Sequence, residues 1–523
     1  MSATRRSIFF NDAWQSWNSK PAPTLELVRA FHRSLPDYKQ TPLVKLDNLA
    51  DEIGVRAIYL KDESSRFGLP AFKVLGASWG TFRAITSRLN LPLDCDLDSI
   101  KRSLEERDLK LFAATDGNHG RAVARMGYWL GLPVAIYVPA GIHQSTIDLI
   151  ESEGARVSRS TGNYDQAVLE AQAAADREDG ILVQDFAFGD YVDIPQVSAS
   201  PHEMNDRQKL TIPQWIVDGY STMMSEIDDQ LEGQQATHTF APVGVGSFAQ
   251  AVTSHFRRHG CSTSVIGVEP DNAACLWKSL SLGTSVAIET IPTIMAGLDC
   301  GTVSTTAWPI LSKGLRASLT VSDFEAHSAA LYLRSRGISA GPCSGGTVAA
   351  LRRLSPAERS RLGIDSDSVI ILPSTEGARE YDVPLDVATD DPVELSRRLV
   401  QINSANLSMG LASGSGDRAV VQYIAAWLEH RDLAYHWIEL SKGCRRVDGV
   451  VIGSGGSRSL MFNGHKCTKD NPLSGAAEDE ESYGQGAVDT MSSIAAAMVA
   501  LAGSKHLSVR GDTTNLGGTA FGE

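Results

Sequence analysis

The chain has 523 residues, of which 42% are hydrophobic and 21% charged, with a formal net charge of −14 at pH 7. That length predicts roughly two to four domains with a sizeable core. The acidic balance speaks against a nucleic-acid or anionic-membrane partner. No apolar run approaches the roughly 18–20 residues of a membrane helix. The first twelve residues carry two arginines but no signal-peptide core. The seven cysteines are odd in number, scattered and free of any Cys-x-x-Cys pair, which predicts reduced thiols in a cytoplasmic protein.

Short apolar runs at 57–60, 111–115, 134–138, 181–184, 239–243, 264–268 and 369–373 read as buried parallel strands. Helical spacing lies between them, for example over 120–132 and 165–176. This alternation predicts an α/β fold of doubly wound parallel sheets, with ligands at the carboxyl ends of strands. Asp116 and Gly244 fall at such ends. Ile194-Pro195-Gln196 recurs as Ile212-Pro213-Gln214. Residues 197–214 therefore read as an insertion, either a surface loop or translated intron sequence. A polar, proline-containing stretch at 381–392 suggests a boundary between domains 1–390 and 391–523, with amphipathic helices starting near Val393 and Asp417.

Lys73 follows an aromatic residue in Ala71-Phe72-Lys73, ahead of Gly76-Ala77. A desolvated lysine loses pKa and attacks carbonyls. Alone, it is better read as a surface lysine at a helix start. Thr115-Asp116-Gly117-Asn118-His119-Gly120 is a turn after a strand, suited to a ring oxygen and a substrate carboxylate. Gly244-Val245-Gly246-Ser247 lies between a strand and a helix, where backbone amides attract a phosphate. Gly341-Pro342-Cys343-Ser344 is a further small-residue turn before a helix. Ser374 and Thr375 close the last strand, where a neutral hydroxyl can face a pyridine nitrogen and favour β-elimination, or simply cap a turn. The lysine and the Asn118 turn together point to pyridoxal phosphate chemistry.

Taken in order, these segments resemble the fold-type II pyridoxal phosphate enzymes, the threonine dehydratase and tryptophan synthase β group. They resemble in particular the diaminopropionate ammonia-lyase family. The matching residues run from Arg66 to Lys73, Ala114 to Arg121, Gln184-Asp185, Gln214 to Tyr220, Thr293 to Leu298 and Ser374 to Gly377. The resemblance implies two doubly wound subdomains, a homodimer, and elimination of ammonia from a small amino acid to give pyruvate. It implies Lys73 and Asp116 as bases on opposite faces of the substrate. Asn118, Gly244, Val245, Gly246, Ser247, Ser374 and Thr375, with Lys73, are implied cofactor contacts. Thr115, Asp116, Gly117, His119 and Asp185 are implied substrate contacts. Asp116 separates this reading from its rival, a threonine/serine dehydratase, whose pattern has a small or hydroxyl residue there. Phe186-Ala187-Phe188 departs from the family's more polar segment.

Residues 393–523 resemble the amino-terminal part of the M20 zinc peptidases, the acetylornithine deacetylase and succinyl-diaminopimelate desuccinylase group. The resemblance implies His465, Asp489 and Glu523 as vestigial zinc ligands. Cys467 replaces the family's Asp, and Gly522 stands at the general-base position. An incomplete ligand set without a base predicts a truncated segment without hydrolytic activity.

Overall fold

The computed structural model describes residues 5–19, 25–105, 107–115, 117–162, 164–186, 211–259, 261–402, 417–441, 444–451, 460–465, 476–478, 481–483, 491–504 and 514–519. Asp116, Phe188, residues 197–210, Cys467, Asp489, Gly522 and Glu523 lie outside them. The chain divides into two compact units. One holds Ile8–Val321 and Glu325–Asp382; the other holds Met1–Ser7, Ser322–Phe324 and Val383–Glu523.

The larger unit contains two sheets. The first has strands β1 (Phe9–Phe10), β2 (Leu43–Lys45), β3 (Ala57–Asp62), β8 (His238–Pro242), β9 (Ser264–Pro270), β10 (Ala317–Val321) and β11 (Val369–Ser374). Their order is β1-β10-β9-β8-β11-β3-β2. The second has β4 (Leu111–Ala114), β5 (Val134–Val138), β6 (Arg156–Arg159) and β7 (Ile181–Leu182), in the order β6-β5-β4-β7. The small sheet is wholly parallel. The large one is parallel only at its centre, because β1 and β2 pair antiparallel at its two edges. Strands β8 to β11 are buried along their whole length, which is why they read as continuous apolar runs rather than alternating ones. The edge strands and β6 are short and partly exposed, and their apolar signal is correspondingly weak.

Each sheet reverses its direction of growth once. From β8 the chain continues outward to β9 and β10, while β11 pairs on the opposite side of β8. From β4 it continues to β5 and β6, while β7 pairs on the opposite side of β4. Ligands of open α/β sheets bind outside the carboxyl ends of strands at such reversals. The segments predicted to carry chemistry follow β4, β7, β8 and β11.

The helices Lys73–Leu89 and Thr211–Gly219 cross at very short range. A Cβ on Gly76 would lie 2.5 Å from Tyr220 Cε1, and one on Gly80 2.5 Å from Ile216 Cγ1. Any larger residue would drive the helices apart. The second helix includes the last residues of the segment 197–214. Its start, Thr211, falls within 197–214, and Ile212 is fully buried in the core. Gln214 accepts a hydrogen bond from Gln250 at 3.0 Å and donates one to Asp218 at 2.8 Å. Residues 212–214 are thus part of the packed unit, and 197–210 lie outside the described residues.

His32 is buried against the Lys73 helix. Its Nε2 lies 2.9 Å from the Leu75 carbonyl and its Nδ1 2.7 Å from Thr222 Oγ1. Burial, reinforced by Arg66 and opposed by the Leu75 carbonyl and Glu226, lowers its pKa to about 3. Unfolded, the same imidazole titrates near about 6.5. The unfolded chain therefore takes up a proton first as the pH falls. The His32 contribution to stability is complete above about pH 6.5 and is lost by about 1.4 kcal/mol per unit down to about pH 3. His32→Gln removes this titration. From pH 7 to pH 5 the variant should lose about 2 kcal/mol less unfolding free energy in urea than the parent. An equal loss in both would contradict the assignment.

In the smaller unit, strands Ala434–Ser441, Cys444–Val451, Thr514–Thr519 and Leu460–His465 form a sheet in that order. His465 is the last residue of its strand. The buried Arg431 guanidinium stacks on Trp427 at 3.6 Å and donates to Val387, Thr389 and Asp390, which fastens the 387–390 segment to the end of the helix Asp417–His430. No described helix is long and apolar enough to cross a membrane.

Candidate active site

Lys73 is the first residue of its helix, and the loop before it is fixed by buried charge. Arg66 donates to both Glu63 oxygens at 2.7 and 2.8 Å and to both Glu226 oxygens at 2.7 Å. Lys61 also donates to Glu226 at 2.7 Å, to the Thr41 carbonyl at 2.8 Å and to Gln230 at 2.8 Å. Two cations and two carboxylates thus neutralise each other with their hydrogen bonds satisfied. Removing one partner from such a buried set leaves an uncompensated charge, typically costing about 3–5 kcal/mol. The arrangement holds residues 61–66, and so the approach to Lys73, in one place.

The Lys73 amine donates to Asp185, which lies just beyond β7. Burial alone would lower the lysine pKa, as expected from its sequence surroundings. The Asp185 carboxylate outweighs burial, and the pKa is raised instead. Burial likewise opposes ionisation of Asp185, but Lys73 and His119 hold its pKa at about 2. The pair is therefore ionic, and the amine must give up a proton before it can attack a carbonyl.

The turn after β4 is built on Thr115, whose Oγ1 accepts from the Gly117 amide at 2.9 Å and the Gly120 amide at 3.0 Å. His119 Nε2 lies 2.8 Å from the Val183 carbonyl, and its Nδ1 is buried without a partner. Burial lowers its pKa, with Lys73 adding to and Asp185 opposing that shift. A neutral ring that donates from Nε2 presents Nδ1 as an acceptor. Gln184 joins β7 to β4, accepting from the Ala114 amide at 3.2 Å while donating to Tyr164 at 2.8 Å. Asn118 turns towards the large sheet and donates to Glu376 at 3.3 Å.

Glu376 was quoted in the Ser374–Gly377 motif without a role of its own. It is buried, and its second carboxylate oxygen accepts from the Cys343 amide at 3.1 Å. Ser344 Oγ binds both its carbonyl, at 2.8 Å, and its amide, at 2.9 Å. The Gly341–Ser344 turn thus receives an internal carboxylate. The available sequence signal was an acidic residue following a strand-end Ser-Thr, with an unassigned helix start elsewhere in the chain.

Gly246 adopts φ +96° immediately before the helix Ser247–Phe256, a conformation that favours glycine. Gly244 is pressed against the 297–300 loop, where a Cβ would lie 2.9 Å from the Gly297 carbonyl. The Val245 carbonyl accepts from the Ser304 amide at 2.8 Å. Ser247 is buried at the helix start. Across the reversal, Ser374 is fully buried and its hydroxyl has no partner, while the Thr375 carbonyl accepts from the Phe72 amide at 3.4 Å.

These features fit pyridoxal phosphate. An amine, a helix start preceded by a positive-φ glycine, and a buried unpaired hydroxyl at a strand end are the partners an aldehyde, a phosphate and a pyridine nitrogen require.

Comparison with known proteins agrees. Residues 35–374 match the family of pyridoxal-phosphate dependent enzymes. The chain is 31% identical over 393 residues to the diaminopropionate ammonia-lyase of Salmonella typhimurium, covering 69% of this chain and 90% of that one. It is 32% identical over 372 residues to the Escherichia coli enzyme, covering 67% and 88%. The crystal structure of the Escherichia coli enzyme in complex with D-serine is similar at a TM-score of 0.62 and 29% identity, over 71% of this chain and 93% of that one. The same enzyme in complex with an aminoacrylate-PLP azomethine reaction intermediate gives 0.60, over 72% and 95%. The chain belongs to the pyridoxal-phosphate dependent enzymes, in their diaminopropionate ammonia-lyase family.

Proposed function

We propose that the protein eliminates ammonia from 2,3-diaminopropionate, which with one water yields pyruvate and two ammonia molecules. The observation that carries this reading is the Lys73–Asp185 pair, in a chain whose last strand ends on the buried, unpaired Ser374 hydroxyl. Bound pyridoxal phosphate supplies an electron sink for the α-carbon. Lys73 holds the cofactor and moves a proton through Nζ on one face; Asp116 is the base on the other. The amides of Gly244, Val245, Gly246 and Ser247 take the phosphate. Ser374 and Thr375 would hold the ring nitrogen as neutral partners. Asn118, fixed by Glu376, would hold the ring oxygen. Thr115, Gly117 and His119 bind the substrate carboxylate.

Asp185 is freed when Lys73 engages the cofactor. Its carboxylate, with that of Asp116, then suits the second ammonium of diaminopropionate. Threonine and serine lack that group, which disfavours the dehydratase reading. We further propose a cytoplasmic homodimer. The tail is read as an M20-like segment without hydrolytic activity, its His465, Asp489 and Glu523 being remnants of a zinc set.

The test is pyruvate release by purified protein. Diaminopropionate should exceed threonine and serine by at least about tenfold in kcat/KM, the order expected from one charge-assisted pair. Comparable rates would overturn the substrate assignment. A chain of residues 8–382 should retain the activity, and the whole chain should show no zinc-dependent amide hydrolysis. Amidase activity lost on truncation would overturn the reading of the tail.

A further inference from the structure

Tyr220 follows the close helix crossing and is fully buried. Its ring packs against Phe72 at 4.9 Å and Phe248 at 5.9 Å, centroid to centroid. Those two residues are the chain neighbours of Lys73 and Ser247, so the phenol stands between the lysine and the start of the Ser247–Phe256 helix. Gly76 fixes this position, since any Cβ there would strike the phenol ring. The hydroxyl is buried and makes no hydrogen bond of good geometry, although Lys73 and Ser247 lie beside it. A buried unpaired hydroxyl in a native structure calls for a partner. The missing partner belongs at the point where the lysine and the glycine-loop helix converge.

We infer that the Tyr220 hydroxyl donates a hydrogen bond to the phosphate of the bound cofactor, completing on the Lys73 side the set of donors begun by the amides of residues 244–247. A phosphate oxygen is an acceptor of the required kind, and its charge strengthens the bond. Burial, helped by Asp185 and opposed by Lys73, raises the phenol pKa, so the group remains a protonated donor throughout the working range. Ser247, which begins its helix beside the same hydroxyl, would supply the neighbouring donors. Tyr220 thus couples the helix crossing to cofactor retention: the glycines that let the helices approach also deliver the hydroxyl to the phosphate.

The inference rests on the cofactor assignment and is tested with Tyr220→Phe in the full chain. The substitution keeps the ring contacts and deletes an unpaired polar atom, so the apoprotein should fold as before. Apoprotein is titrated with pyridoxal phosphate and, separately, with pyridoxal, following the visible band and tryptophan fluorescence. The affinity for pyridoxal phosphate should fall by roughly tenfold or more, as expected for a hydrogen bond to a charged group. The affinity for pyridoxal, which lacks the phosphate, should not change. The ³¹P resonance of the bound cofactor should also move. Unchanged affinity for pyridoxal phosphate would overturn the inference. So would an equal loss for both ligands, which would place the hydroxyl's partner at Lys73. Failure of the parent protein to bind pyridoxal phosphate would instead sink the cofactor assignment itself.

Discussion

Lys73→Ala should abolish pyruvate formation and eliminate covalent attachment of the cofactor. Lys61, fully buried, is held by Glu226, Thr41 and Gln230 and cannot replace it. Losing an attachment amine and a positioned base together exceeds the loss for a base alone, about 10²–10⁴-fold. Part of any effect reflects Asp185, which alanine leaves buried without its cation. Lys73→Arg separates the two causes. It preserves the charge beside Asp185 but cannot condense with an aldehyde, so it should restore stability without restoring turnover. Borohydride reduction in the presence of pyridoxal phosphate, followed by peptide mapping, locates the attachment point directly. A label on any other lysine would overturn the assignment.

Asp116→Asn should act asymmetrically on the two enantiomers of 2,3-diaminopropionate. If Lys73 serves one face of the α-carbon and Asp116 the other, the enantiomer whose proton faces Asp116 loses about 10²–10⁴-fold in kcat. The other enantiomer keeps its base and loses only what Asp116 contributes to binding, which appears in KM. Equal losses in kcat for both would mean that Asp116 binds the substrate ammonium and moves no proton. The Lys73–Asp185 pair adds a constraint on pH. While it is paired with Lys73, Asp185 stays ionised down to about pH 2; once Lys73 engages the cofactor that support is withdrawn and burial opposes its ionisation, so an acid limb of kcat/KM should shift towards neutrality relative to the pH at which the free pair titrates.

The sequence by itself determined the α/β class, the central strands and the pyridoxal phosphate family, and it singled out Lys73 and the turns around it as candidates. Those elements announce themselves locally. Fully buried parallel strands are continuous apolar runs, and a phosphate-binding turn needs glycine at a few adjacent positions. The turn carrying Thr115, Gly117 and Gly120 and the Ser374–Gly377 strand end are marked locally by small and hydroxyl residues in the same way. Only the tertiary structure paired Asp185 with Lys73 and so reversed the expected direction of the lysine pKa. It also gave Glu376 its place between Asn118 and Cys343, assembled Lys61, Glu63, Arg66 and Glu226 into one buried set, and left the Tyr220 hydroxyl buried without a partner. The edge strands β1 and β2 belong with these, since their antiparallel pairing depends on what lies beside them. The reason is common to all of them. Composition and spacing report whether a position is buried, but an ion pair or an unpaired hydroxyl is a property of two segments distant in the chain, and their meeting is decided by how the sheets and helices pack.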